Sequence, residues 1–163
     1  MKKRPETILG LSLGTRHIGL AVMKDNQIRD RRMKVYTERW SEIKLLIIIS
    51  MLKKIIRKHG VTIIAIKAIN PSKSSPSLNQ ILQAVGKYAN SSKIAVFTYP
   101  IEELERYYSM EKRVNKGILM EAVLAEFPEL IFEYRNEQKR KNSYYVKVFE
   151  AIAAARLCAQ ELE

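Results

Sequence analysis

The side chains with reactive potential are few. Of 163 residues two are histidine, His17 and His59, and one is cysteine, Cys158. A single thiol closes no internal disulfide and builds no Cys-rich metal cluster, and two histidines without cysteine partners argue against a zinc centre. Cys158 lies in an Ala-rich apolar stretch, where a buried structural thiol is expected rather than a nucleophile. His59 adjoins Gly60, where helix capping and the helix dipole account for it. His17 follows Gly14-Thr15-Arg16. No Ser-His-Asp or Cys-His set can be argued from order alone, so nucleophilic catalysis has no support. Cations are plentiful by contrast: 29 Lys and Arg oppose 17 Asp and Glu, a net +12. Such a surplus concerns partners rather than fold, and it points to a polyanion, nucleic acid first.

These groups need a scaffold to position them. The length suits one domain, and 47% apolar residues supply one sizeable core. Residues 7–13 (TILGLSL) read as a buried strand ended by Gly14, and 18–23 (IGLAVM) as a second. After an Asp25-Asn26 turn, 27–36 reads as a third strand, whose Arg29, Arg31, Arg32 and Lys34 exclude a central place in a sheet. Over 38–58 the period becomes helical, with Trp40, Ile43, Ile47, Met51 and Ile55 in a stripe widened by Leu46, Ile48, Leu52 and Ile56 and stopped by Gly60. Residues 61–69 (VTIIAIKAI) have the β-branched run of a parallel strand buried on both faces.

A Ser, Lys and Pro loop at 71–76 then precedes a helix over 78–89 capped by Ser77. A short strand is predicted over 93–98 (KIAVFT), and helices over 101–107, 114–127 and 145–162. Residues 134–143 read as an exposed, mobile basic loop. The greasiest window, 45–52, falls far short of the ~20 residues a membrane span needs. The basic N-terminus leads into a Gly-broken strand rather than a signal peptide. A cytoplasmic protein is the expectation. The order β-β-β-α-β-α-β-α-α predicts a single α/β domain over 1–163. Its mixed five-stranded sheet, a three-strand antiparallel meander plus parallel strands, is flanked by helices.

Three segments together carry a resemblance. ILGLSLGTRHIGLAV (8–22) resembles the first hairpin of RuvC-like Holliday-junction resolvases and the related YqgF-type nucleases, which have an apolar strand, Gly-x-Asp-x-Gly-Thr and a Gly-containing second strand. IIAIKA (63–68) resembles their fourth strand, which ends on Glu. FEAIAAA (149–155) resembles their C-terminal helix, where an Asp precedes small residues. The segments follow in the family's order over nearly the whole chain, which implies a ribonuclease-H-like fold.

The resemblance also implies a degenerate site. The family's carboxylates hold Mg²⁺, a hard cation that takes oxygen ligands, and two such ions clamp the phosphodiester during in-line displacement. Here Ser12 stands for the first-strand Asp and Lys67 for the fourth-strand Glu. Lys147 stands where the resolvases often carry a second Asp, and Glu150 alone is acidic. An ammonium ~4 Å from a divalent ion is repelled by roughly 4 kcal/mol per ion charge at an effective dielectric of about 20. No metal and no cofactor are therefore expected, and no confident catalytic residue. Lys67 has two readings: at the solvent edge of the sheet, or facing Glu150 as an internal positive charge in the metal's place.

In the family nucleic acid lies across the sheet face near the strand ends. The resemblance would put Arg16, Lys67, Lys73, Arg113, Lys116, Arg135, Lys139, Arg140 and Lys141 around it to neutralise phosphates. Tyr144 adjoins the basic loop and could stack on unpaired bases, whereas Tyr145 begins a helix and reads equally as core. The expected function is binding of branched or structured DNA, or RNA, by a catalytically inactive RuvC-like protein, with a homodimer as in the resolvases. One alternative is an active Mg²⁺-dependent, structure-selective endonuclease with a site rebuilt from Glu150 and Glu6, Asp25 or Glu111. Another is a protein–protein scaffold. Gly10-x-x-x-Gly14-Thr15 also resembles the phosphate loop of actin-like ATPases, but those close two such domains over a nucleotide.

Overall fold

The structure, a computed structural model, describes residues 6–108 and 116–163. Arg113 and Glu111 lie outside the described residues, as does the side chain of Lys116. The chain runs through strands Thr7–Ser12 (β1), His17–Lys24 (β2) and Gln27–Val35 (β3), helix Glu42–His59 (α1), and strand Ile63–Lys67 (β4). Helix Pro76–Ser91 (α2), strand Ala95–Tyr99 (β5) and helix Ile101–Tyr108 (α3) follow, then helices Lys116–Glu126 (α4), Ile131–Lys139 (α5) and Val146–Glu161 (α6). The five strands form one sheet in the order β3-β2-β1-β4-β5. The first three are antiparallel, while β4 pairs parallel to both β1 and β5. The expected mixed sheet is present, and the basic β3 is at its edge.

Alternation along the strands divides the core in two. Leu9, Leu11 and Leu13 of the first strand region, with Ile64 and Ile66 of β4, pack under α1 and α2. Ile8 of β1, Ala21 of β2 and Ile63 and Ala65 of β4 pack under α6, with α3 and α4 beyond it. By the same parity Ser12 and Lys67 face α6.

That helix lies unusually close to the strands. A Cβ on Gly10 would come 2.0 Å from the Ala151 carbonyl oxygen, and one on Gly19 would come 2.2 Å from the Lys147 carbonyl carbon. Two glycines therefore let the α6 backbone rest directly on β1 and β2. Both obstacles are helix backbone, which cannot swing aside as a side chain can. Gly19→Ala is expected to destabilise by at least the ~1–3 kcal/mol typical of overpacking, read as a lower urea midpoint.

Local signals explain the element ends, and some departures from expectation. α1 starts at Glu42 because the Ser41 hydroxyl accepts from Lys44 N–H, and it stops where Gly60 adopts the left-handed conformation (φ 63°). Trp40 therefore lies before the helix. The buried face of α1 is Lys44, Ile48, Ile49, Leu52, Ile55 and Ile56, while Ile43 (70% exposed), Leu46 (65%) and Ile47 (49%) face outward. The expected stripe was rotated because this helix is apolar around most of its circumference, so periodicity alone did not select a face. α2 is capped by Ser75, not Ser77: Pro76 takes the first helical position and the Ser75 hydroxyl accepts from Leu78 N–H.

The expected mobile loop at 134–143 is in large part helix. α5 continues through Lys139, and Glu137 is buried. Its carboxylate accepts from the N–H groups of Tyr144 and Tyr145 at 2.6–3.0 Å, capping the approach to α6. A local charge count could not reveal an acid whose partners are backbone donors seven residues on. No described helix is long and apolar enough to cross a membrane.

Candidate nucleic-acid interface

Glu150 sits on the first turns of α6 and is 1% exposed. Its Oε1 accepts from the Ser12 hydroxyl at 3.0 Å, and its Oε2 lies 3.2 Å from Lys67 Nζ. The second contact is an ion pair without good hydrogen-bond alignment, so Oε2 has no well-directed donor. Of the two readings for Lys67, the structure has the inward one. Parity alone required it once α6 lay over that face, because Ile63, Ala65 and Lys67 alternate to one side.

A divalent cation does not fit this arrangement. Its oxygen donors would be one carboxylate and one neutral hydroxyl, and an ammonium already sits beside that carboxylate. Among the described residues no group of three or more His, Cys, Asp or Glu could hold a metal ion. Of the carboxylates suggested for a rebuilt nuclease site, Glu6 and Asp25 are not nearby. Glu6 hydrogen-bonds the Thr62 hydroxyl just before β1, and Asp25 pairs with Arg29 (3.7 Å) in the β2–β3 turn. Thr7 pairs with Lys24 at that end of the hairpin and Ser12 with Gly19 at the other. Five residue steps of strand separate them by about 17 Å. Glu111 lies outside the described residues.

Above the Ser12–Glu150–Lys67 group opens a pocket of about 230 Å³ between the ends of β1 and β4 and the start of α2, lined by Gly14, Thr15, Lys67, Asn70, Lys73 and Lys147 among others. Its charged lining residues are all lysines. Lys147 extends along Gly14 and donates to the Leu13 carbonyl at 3.3 Å. Two of the expected contact residues, Lys67 and Lys73, therefore meet at one cavity, together with Lys147.

A second group adjoins it through Lys147. Burial first, and then the positive charges of Arg16, Lys147 and Arg140, hold His17 below its ordinary pKa of 6.5. Tyr144 packs edge-on against His17 (ring centroids 5.8 Å apart), and the Arg140 guanidinium covers its face at 4.3 Å. The face expected to take a base thus already carries a cation. Arg135, Lys139 and Lys141 are exposed as expected, but no contact ties them to the pocket. Sequence reasoning missed Thr15, which lines the pocket, and Lys44. Lys44 is 4% exposed, and its amino group donates to the Tyr36 and Glu38 carbonyls at 3.1 and 2.7 Å. The signal for it was a lysine at the start of an apolar helical run.

A pH dependence follows. His17 has a lowered pKa in the folded chain, so its stability contribution is whole above about 6.5 and is lost as pH falls through the folded value. A polyanion on Arg16, Lys147 and Arg140 would offset the charges that oppose protonation. Binding is then expected to raise the His17 pKa, and affinity to rise from pH 7.5 to 6. The Cε1 proton of His17, one of two histidines, reports this directly by NMR titration with and without oligonucleotide. Cys158 is buried, and burial foremost pushes its thiol up, as a structural cysteine requires.

No family model and no curated protein matches the sequence. Solved structures do match the fold. The Thermus thermophilus RuvC structure aligns over 92% of this chain and 91% of its own, with 13% identity and a TM-score of 0.71. T. thermophilus RuvC in complex with a Holliday junction substrate aligns over 96% and 94%, with 14% identity and a TM-score of 0.72. The fold is RuvC-like and ribonuclease-H-like.

Proposed function

We propose that this RuvC-like chain binds the phosphodiester backbone of branched or structured nucleic acid, DNA before RNA, and does not cleave it. The observation that carries the reading is Lys67, whose ammonium lies 3.2 Å from Glu150 beneath a pocket lined also by Lys73 and Lys147. Where two-metal chemistry would put cations between protein and phosphate, this chain supplies its own. One RuvC structure of the same fold holds a Holliday junction, which supports a branched substrate. A reducing, cytoplasmic setting suits the lone buried thiol.

A labelled four-way junction tests this. Binding is expected to be retarded steeply by salt, with no cleavage in Mg²⁺ or Mn²⁺. Lys147→Ala is expected to lower the slope of log affinity against log salt by about one. Cleavage that Glu150→Gln abolishes would overturn the reading. A homodimer is favoured by one observation, the outward face of Ile43, Leu46 and Ile47 on α1, since such apolar surface marks interaction sites. Leu46→Glu would then halve the mass seen by light scattering without lowering the unfolding midpoint.

A further inference from the structure

Beside the lysine pocket is a second cavity of about 360 Å³, lined by Thr15, Arg16, Thr37, Arg39, Trp40 and Ser75 among others. Thr15 and Ser75 also line the lysine pocket, so the two cavities share a wall. The chemistry differs on the two sides of it. The first offers ammonium groups for a phosphate. The second offers an indole, two guanidinium groups, several hydroxyls, the acidic Glu38 and Lys44, a mixed donor and acceptor lining that suits a flat, polar-edged aromatic ring.

The wall carrying the indole is held in place. The buried Lys44 amino group grips the Tyr36 and Glu38 carbonyls, and Tyr36 N–H donates to the Arg16 carbonyl at 2.7 Å. Residues 36–38 are thus tied both to α1 and to the β1–β2 turn. Trp40 packs against the α1-side core and also borders the cavity. A preset site loses little order on binding.

We propose that this cavity receives an unpaired nucleobase from the strand whose phosphate lies over Lys67 and Lys147, stacked on Trp40 and flanked by Arg16 and Arg39. The proposal rests on the nucleic-acid reading above and adds a substrate requirement to it. A base inside a duplex has both faces covered by its neighbours, whereas a splayed base offers a face to an aromatic ring and its edges to hydroxyls and guanidinium groups. The chain should therefore prefer junctions, flaps and single strands with at least one unpaired nucleotide over a blunt duplex.

Trp40 is the only tryptophan, so intrinsic fluorescence reports this cavity in the unmodified protein. Emission is followed during titration with four probes: a single-stranded oligonucleotide, the same oligomer with every base removed, a blunt duplex, and a nucleoside monophosphate. Anisotropy of labelled oligomers is read in parallel. The expected result is emission that responds to the single strand and not to the abasic oligomer, although both bind by anisotropy. Trp40→Ala should weaken single-strand affinity by roughly 5- to 100-fold, the range of one aromatic stack. It should leave abasic affinity unchanged. Because Trp40 also touches the core, Arg39→Ala is the companion variant, and the single-strand preference should shrink in it too.

Unchanged emission with bound single strand overturns the base pocket while leaving phosphate binding standing. An equal response to the abasic oligomer does the same. A monophosphate that acts at the same concentration as the oligomer reassigns the cavity to a free nucleotide. Absence of any binding by anisotropy removes both this inference and the reading on which it rests.

Discussion

Lys67→Met is expected to lower stability by about 3 kcal/mol, the lower end of the cost of breaking a buried ion pair. Glu150 is 1% exposed and the Lys67 side chain 16% exposed, so the variant leaves a carboxylate without its cation in a place water barely reaches. Ser12 still donates one hydrogen bond, but a hydroxyl does not neutralise a charge. Adding Glu150→Leu should restore much of the loss, since a buried pair replaced as a unit by apolar groups is often neutral or better. Urea unfolding of both single variants and the double gives the coupling. A single variant within about 0.5 kcal/mol of the parent, the range of an ordinary surface change, would mean the pair does not hold this end of α6.

The second large effect is the reverse change. Ser12→Asp with Lys67→Glu would surround Glu150 with two more carboxylates and remove the internal cation. Without divalent ions the double variant should be several kcal/mol less stable than the parent, because like charges crowd where Ser12 and Lys67 now sit within 3.0 and 3.2 Å of Glu150. Mg²⁺ or Mn²⁺ should then raise its unfolding temperature, by an amount equivalent to about 2.7 kcal/mol at a hundred times Kd. The parent should not respond. Thermal unfolding with and without metal decides it, and the readout is stability, so no catalytic step need be recovered. A double variant indifferent to both ions would show that the geometry around Ser12, Lys67 and Glu150 is not that of a metal site with its ligands exchanged.

The strands were readable because alternation and turn chemistry are local. Asp25 and Asn26 do adopt positive φ, 54° and 59°, as a tight turn between β2 and β3 requires, and the charged β3 is an edge strand. The helices were readable as elements but not as faces. In α1 apolar residues occupy too much of the circumference, so packing rather than periodicity selected the inward side. The basic loop became α5 because Glu137 found backbone donors at Tyr144 and Tyr145, an attraction that composition cannot register.

The +12 charge and the sheet were determined by the sequence itself, since residue identity and period are all they require; that Ser12, Lys67 and Lys147 are replacements of acidic residues is what the resemblance implies. Only the tertiary structure decided what those replacements do. Ser12 and Glu150 are 138 residues apart in the chain, and their hydrogen bond exists because Gly10 and Gly19 let α6 rest on the strands. The meeting of Lys67, Lys73 and Lys147 at one pocket, with the Trp40 cavity across a shared wall, depends on where separate elements stop and how closely they pack. Those are distances between segments, and no local pattern encodes them.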